Sequence, residues 1–217
     1  IFVFSIIVFG VLVTQVDLDK DSFHHPQVFG EIESSLRHSV FQVLAIVTTT
    51  GFVTADYTSW NSFLTVFFFG LMFLGGSAGS TSGGIKVVRH LLMIKSGVLE
   101  FKRALHPNAI IQPRFNGKVI SQEIIGNILG FFILYMLSFI IGSLVFGFMG
   151  LDFESAIGVA ASSLGNVGPA IGDFGPASNF SQLPAIGKLW SSFLMLMGRL
   201  ELFTVLILLT PYFWNKN

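Results

Sequence analysis

Between residues 122 and 149 the chain carries one charge, Glu123, at the very start of the stretch. Coiled into a helix, such a run is ~42 Å long, more than the ~30 Å hydrocarbon core of a bilayer. Lipid offers backbone amides no partners, so a segment of this kind crosses as a helix that bonds internally. The rest of the chain agrees with that constraint. Of its 217 residues 52% are hydrophobic and only 11% charged, twelve basic against twelve acidic, whereas a soluble domain is about a quarter charged. So little charge excludes an ordinary cytosolic enzyme, a disordered linker and a nucleic-acid binder working through basic patches. The absence of cysteine excludes a disulfide scaffold. The expected class is an all-α integral membrane protein, with the lipid bilayer as its first partner.

Other apolar stretches surround this one. Residues 1–16 are apolar apart from Ser5, Thr14 and Gln15. They cover ~24 Å and lack the basic start and cleavage site of a signal peptide, which predicts a spanning helix whose beginning precedes Ile1. Residues 60–74, 85–105 and 185–212 follow, the last with Arg199 and Glu201 in its middle. Seven of the twelve positive charges fall between 85 and 118, namely Lys86, Arg89, Lys95, Lys102, Arg103, Arg114 and Lys118, opposed only by Glu100. The positive-inside rule makes that stretch cytoplasmic, and Lys216 puts the C-terminus on the same side. The acidic segment with Asp17, Asp19, Asp21, Glu31 and Glu33 then faces outward, either as a solvated loop or as a vestibule that concentrates cations.

This orientation leaves residues 34–52 and 153–164 apolar but unable to cross, because the segments on either side need them to begin and end outside. Each predicts a half-helix of ~11–15 residues followed by a glycine-containing turn, re-entrant instead of spanning. Ser34-Ser35 and Asp152 are the expected N-caps. The chain then divides into two repeats of one plan, residues 1–105 and 122–217, joined by a cytoplasmic linker at 106–121. In each, an outer helix leads through a half-helix and turn to an inner helix. Extended backbone with a glycine at the turn can aim successive carbonyls at an axis and replace an ion's water shell. The negative end of the half-helix favours a cation there as well.

On these residues the chain resembles a known family. The run Thr48-Thr49-Thr50-Gly51-Phe52 resembles the filter of potassium channels. Together with Asn166-Val167-Gly168-Pro169-Ala170, the run from Gly75 to Lys86, Met197-Gly198-Arg199-Leu200-Glu201 and the ending Leu209-Thr210-Pro211-Tyr212-Phe213-Trp214, it is similar to the TrkH/KtrB superfamily of potassium uptake proteins. That resemblance implies a subunit of four helix–pore–helix repeats around one pore, of which these residues look like the third and fourth, about half. It implies a filter in which the carbonyls of Thr48, Thr49 and Thr50 and of Gly165, Asn166 and Val167 hold K⁺, with Gly51 and Gly168 permitting the turns and Phe52 closing the first motif. One glycine per turn, by analogy, means weaker discrimination against Na⁺ than in potassium channels. The resemblance further implies dimers of the intact subunit, a cytoplasmic nucleotide-binding ring as regulatory partner, Na⁺ or H⁺ as possible co-ions, a bacterial inner-membrane location and no resident cofactor.

The ten residues Gly75, Gly76, Ser77, Ala78, Gly79, Ser80, Thr81, Ser82, Gly83 and Gly84 hold nothing larger than threonine. Five glycines cost a straight helix about 1 kcal/mol each relative to alanine. The ordinary explanation is a close helix-packing surface. The one favoured here is a break in the inner helix below the filter, and the family resemblance gives that break the role of a gate, with Lys86 at its cytoplasmic end. Arg199 costs at least ~2.5–3.5 kcal/mol in the middle of a spanning helix. Glu201, two residues on, lies on another face, so the carbonyls of residues 75–84 are the expected partner and a pore-facing, cation-opposing role the expected function. For the threonine run itself, the ordinary alternative is a helix end with Gly51 as its C-cap.

Patterns for covalent chemistry are incomplete. Gly75-Gly76-Ser77-Ala78-Gly79 fits a nucleophile elbow, yet no acid and histidine follow in the needed order, His106 being the last histidine. No Gly-Lys-Ser/Thr makes a phosphate loop. His24-His25 read as surface loop and His38 as a packed or locally bonded side chain. Residues 85–105, apolar with cations between, read as an inner-leaflet amphipathic helix or a docking surface. The leading expectation is potassium uptake. The alternatives are a sodium or nonselective cation transporter and a non-transporting structural subunit.

Overall fold

The structure, a computed structural model, describes residues 1–15, 31–106, 113–200, 202–208 and 210–214. Asp17, Asp19, Lys20, Asp21, His24, His25, Glu201 and Lys216, and part of the linker, lie outside them. Helix α1, Phe2–Gln15, is apolar all round, as a helix in lipid is. Val8 and Leu12, one turn apart, are buried on the side that packs on α2, Glu31–Val47. That helix starts earlier than Ser34-Ser35 would cap it. Both serines are buried within it. With 17 residues α2 is also longer than the half-helix expected.

Two polar caps then set the next turns. The Asp56 carboxylate accepts from Thr58 N at 3.0 Å and starts the single turn α3, Tyr57–Trp60. The Asn61 side chain accepts from Leu64 N at 2.8 Å and starts α4, Ser62–Leu71. Val8, Leu12, Val43, Ile46, Val47, Tyr57, Trp60, Leu64 and Phe68 close one apolar core between α1, α2 and α4.

After Leu71 the helix stops. Residues 74–75 form β1, Leu74–Gly75, which pairs in parallel with β2, Ile85–Lys86, and the chain between them is a loop. Helix α5, Val87–Leu105, resumes beyond it, with Lys102 and Arg103 against the negative end of its dipole. The inner helix expected over 60–105 is therefore interrupted at the small-residue run. The linker holds a hairpin, β3 Arg114–Phe115 and β4 Lys118–Val119, around Asn116-Gly117 at φ 49° and 79°. Two short ladders thus qualify an otherwise helical fold.

The second half opens with α6, Gln122–Phe148, capped by Ser121. Among the described residues it is the one helix long and apolar enough to cross a membrane by itself. Its face with Leu129, Ile133, Leu137, Ile140 and Leu144 is exposed, as lipid contact requires. Helix α7, Phe153–Gly165, starts on the expected cap, Asp152 accepting from Ser155 N at 3.2 Å, and is buried from Ser155 to its end apart from the half-buried Ile157. Gly158, Ala160 and Ala161 let its neighbours approach. α6 packs on one side and α8, Ala185–Arg199, on the other. The segment expected as one helix over 185–212 breaks after Arg199. It continues as α9, Leu202–Leu208, 118° away from α8, and α10, Pro211–Trp214. Arg199 and Glu201 flank that break in sequence, but no proline does, and the apolar run on either side of them predicted continuity.

Each half runs from an apolar helix through a helix ending in a glycine turn to an interrupted helix, α4 and α5 in the first and α8 and α9 in the second. Phe73 and Phe139 pack against both cores, and the Tyr57 hydroxyl donates to the Ala170 carbonyl at 2.8 Å across the two halves.

Candidate functional site

The ends of α2 and α7 are built alike. In the first, Thr50 N donates to Ala45 O at 3.0 Å and Thr49 N to Ile46 O at 3.0 Å. In the second, Val167 N donates to Ser162 O at 3.0 Å and Asn166 N to Ser163 O at 3.2 Å. This is the six-to-one and five-to-two bonding of a Schellman end, with Thr49 and Asn166 as the left-handed residues at φ 55°. Gly51 and Gly168, two positions further, take φ 72° and 112°. Gly51 is thus not the C-cap of α2. Thr49 is, and the glycine makes a separate second bend that a helix end does not need.

The bends meet. A Cβ on Gly51 would lie 2.5 Å from Val167 O and 3.6 Å from the Gly168 Cα, and one on Gly168 would lie 3.4 Å from the Gly51 Cα. The Ser162 hydroxyl fixes the second bend, donating to Gly168 O at 2.8 Å and accepting from Gly168 N at 3.2 Å. Between helix end and bend, the carbonyls of Thr48, Thr49, Thr50, Gly165, Asn166 and Val167 accept no hydrogen bond from the described residues. Thr48 and Thr50 are exposed and Gly165 and Val167 buried, so the two matching turns present six acceptors with no donor among the described residues, two of them in buried residues where a carbonyl is almost always paired. A dehydrated cation is the partner such oxygens fit. Phe52 follows the first bend and is exposed.

The small-residue loop packs against both turns. Gly83 N approaches the Thr49 hydroxyl at 3.4 Å, and a Cβ on Gly83 would lie 2.3 Å from Gly165 O and 2.8 Å from the Asn166 Cβ. Gly75 is as crowded, its Cβ position 2.5 Å from Gly83 O. These positions need glycine for space. Lys86 ties the loop together: its ammonium donates to Ser80 O at 2.8 Å and to Ser82 O, while Gly76 N donates to Ser82 Oγ at 2.8 Å. Ser77, Thr81 and Ser82, with Thr48, line a cavity of about 630 Å³ below the first turn. Ala78, Gly79 and Gly84 complete the loop, Gly84 at φ 69° where it joins β2.

Arg199 stands apart from this arrangement. It ends α8, is exposed, and makes no hydrogen bond or ion pair to a described residue, so the loop carbonyls expected for it belong to Lys86. Its neighbour Gly198 does touch the site, packing on Leu164 O and the Asn166 amide. Sequence reasoning named Asn166 for its carbonyl but passed over its side-chain amide and several other contributors. Asn166 Nδ2 donates to Met195 O at 3.0 Å, the Ser163 and Ser191 hydroxyls meet at 2.7 Å, and Gln42 donates to Ala55 O at 2.5 Å. Only Ser162 and Gln42, polar on apolar helices, offered any signal. His38 meets the Thr54 hydroxyl at 3.1 Å, a local bond of the kind expected.

A family model described as a cation transport protein, TrkH, matches residues 1–215. The chain belongs to the TrkH family. A Trk system potassium uptake protein TrkH from Halomonas elongata is 39% identical over 188 residues, 86% of this chain and 38% of its own length. Its counterpart from Escherichia coli K12 is 38% identical over 194 residues, 89% of this chain and 39% of its own. A crystal structure titled as the potassium transporter TrkH from Vibrio parahaemolyticus superposes with a TM-score of 0.82 at 36% identity, over 99% of this chain and 44% of that one. This TrkH-family chain spans about two fifths of the relatives it matches. Membership of a cation transport family, with α6 exposing one apolar face, places it in a membrane.

Proposed function

We propose that these residues form two successive helix–pore–helix repeats of a potassium uptake subunit and supply half of its ion filter and its gate. The observation that carries this reading is the pair of matching turns whose six carbonyls lack hydrogen bonds and whose glycines touch. A K⁺ ion exchanging its water shell for those oxygens needs no covalent chemistry and no cofactor. The relatives' names, all potassium uptake proteins, supply the ion. α2 and α7 act as the re-entrant half-helices, each ending with its negative pole at the turn. The loop over 75–84, clamped by Lys86 against both turns, is the gate, and opening requires Lys86 to release Ser80 and Ser82. Arg199, at the end of α8 beside Gly198, adds a positive charge on the inner side that opposes cations at rest.

The intact subunit works as a dimer on a cytoplasmic nucleotide-binding ring, in a bacterial inner membrane with its C-terminus inside, moving K⁺ down its electrochemical gradient or with Na⁺ or H⁺. The test uses the full-length protein in cells deprived of their potassium uptake systems. Gly51→Asp, which drives a side chain toward Val167 O and an anion into the filter, abolishes growth at limiting K⁺ and rubidium uptake while expression stays normal. Wild-type growth of that variant at equal expression would sink the assignment.

A further inference from the structure

The two turns follow one backbone course but are not held alike. Ala45 in α2 stands where Ser162 stands in α7, because Thr50 N donates to Ala45 O and Val167 N to Ser162 O, each at 3.0 Å. In the first turn one acceptor serves everything: Ala45 O also takes the Thr50 hydroxyl at 3.3 Å and Gly51 N at 3.4 Å. In the second, Gly168 N turns instead to the Ser162 hydroxyl at 3.2 Å, and that hydroxyl donates to Gly168 O at 2.8 Å. Ser162 is buried, so its bonds are shielded from water. We infer that Ser162 is a positioning residue that sets ion discrimination by aiming the Val167 carbonyl, a role that rests on the filter reading above.

A peptide unit is planar, and in the trans form its N–H and C=O point in opposite directions. No described peptide bond is cis. With its N–H bound to Ser162, the unit joining Val167 to Gly168 therefore points its oxygen away from α7. That oxygen lies against the first turn, where a Cβ on Gly51 would be 2.5 Å from it. The next unit, Gly168 to Pro169, has no N–H, so its carbonyl is the one group by which it can be held. Ser162 holds it and turns Gly168 O back toward the helix. A single hydroxyl thus advances one oxygen and withdraws the next. Telling K⁺ from Na⁺ requires a set number of carbonyls at a set distance, whether cavity size or ligand number decides. Without the hydroxyl both units lose their tether, and Gly168, at φ 112°, offers no side chain to resist their rotation. A smaller ion can then draw the Val167 oxygen inward or take Gly168 O as an added ligand.

The full-length protein in proteoliposomes is assayed for tracer rubidium and sodium uptake over a range of concentrations. Ser162→Ala lowers the preference for rubidium over sodium about fivefold, the effect of one buried hydrogen bond. It does so by raising KM for rubidium, with the maximal rate little changed. Ser162→Cys keeps the volume but donates weakly, and follows Ser162→Ala. Ser155→Ala is the control. The Ser155 hydroxyl, also buried on α7, accepts from Asp173 N at 2.9 Å, ~10 Å along the helix from Ser162, and its loss leaves the preference as in wild type. A wild-type preference in Ser162→Ala, its recovery in Ser162→Cys, or an equal fall in Ser155→Ala would overturn the role. Gly51→Asp in the same vesicles separates the two readings. If it abolishes rubidium uptake while Ser162→Ala keeps the wild-type preference, the filter stands and the role of Ser162 falls; undiminished uptake in Gly51→Asp removes the filter itself.

Discussion

Thr49 holds a left-handed backbone that threonine seldom adopts. Its branched Cβ costs on the order of 1–2 kcal/mol at φ 55°, and the matching position of the other turn carries Asn166, which tolerates that region far better. The strain is kept where the Thr49 hydroxyl meets Gly83 N and the neighbouring carbonyls stay unpaired. Thr49→Asn should therefore raise the thermal midpoint of the full-length protein, by about 1 kcal/mol of stability, while altering ion selectivity. A lower midpoint in a detergent melt would mean that the threonine is not strained. The sequence singled out Thr49 for its carbonyl, and nothing in it announced the left-handed backbone. A β-branched side chain argues against a positive φ, so attention fell on Gly51, which is a bend of its own.

At the scale of elements, α7 was the most legible. Asp152 caps it, its small residues pack, and Asn166 ends it, each readable because the signals are local. Hydrogen bonding from Ser155 holds the Asp152 carboxyl below its usual range. A depressed value means that the cap's stabilisation is complete above the ordinary carboxylate pKa and fades as pH falls through the lower folded one. Asp152→Ala should cost about 1 kcal/mol at neutral pH, Asp152→Asn much less, and the gap between wild type and Asp152→Ala should shrink in strong acid. Unfolding at neutral and acid pH measures all three, and an equal cost at both would remove the carboxylate from the account. By contrast, the start of α2 and the break after Arg199 were illegible. Ser34 and Ser35 look like a cap but are buried within the helix, and the long apolar runs before and after Arg199 and Glu201 conceal a turn.

In the whole molecule, contacts distant in sequence decide how the halves sit together. Tyr57 reaches Ala170 O, and Gly83 wedges between Thr49 and Gly165, pairings that no periodicity reveals. The loop's composition foretold that it would not be helical, but not that Lys86, instead of Arg199, would hold it. Lys86→Met should therefore leave the fold intact and raise resting rubidium flux several-fold in proteoliposomes of the full-length protein, with Lys86→Arg close to wild type. Unchanged flux would assign the loop a structural role alone.

The touching of Gly51 and Gly168 has a bearing on how such a chain can vary. Thr49-Thr50 and Asn166-Val167 differ in side chain although the two turns follow one backbone course. At the point where they face each other, a side chain gained by either one is a collision for its twin. A side chain at either glycine is thus a steric matter for both turns at once, and the two behave as one joint.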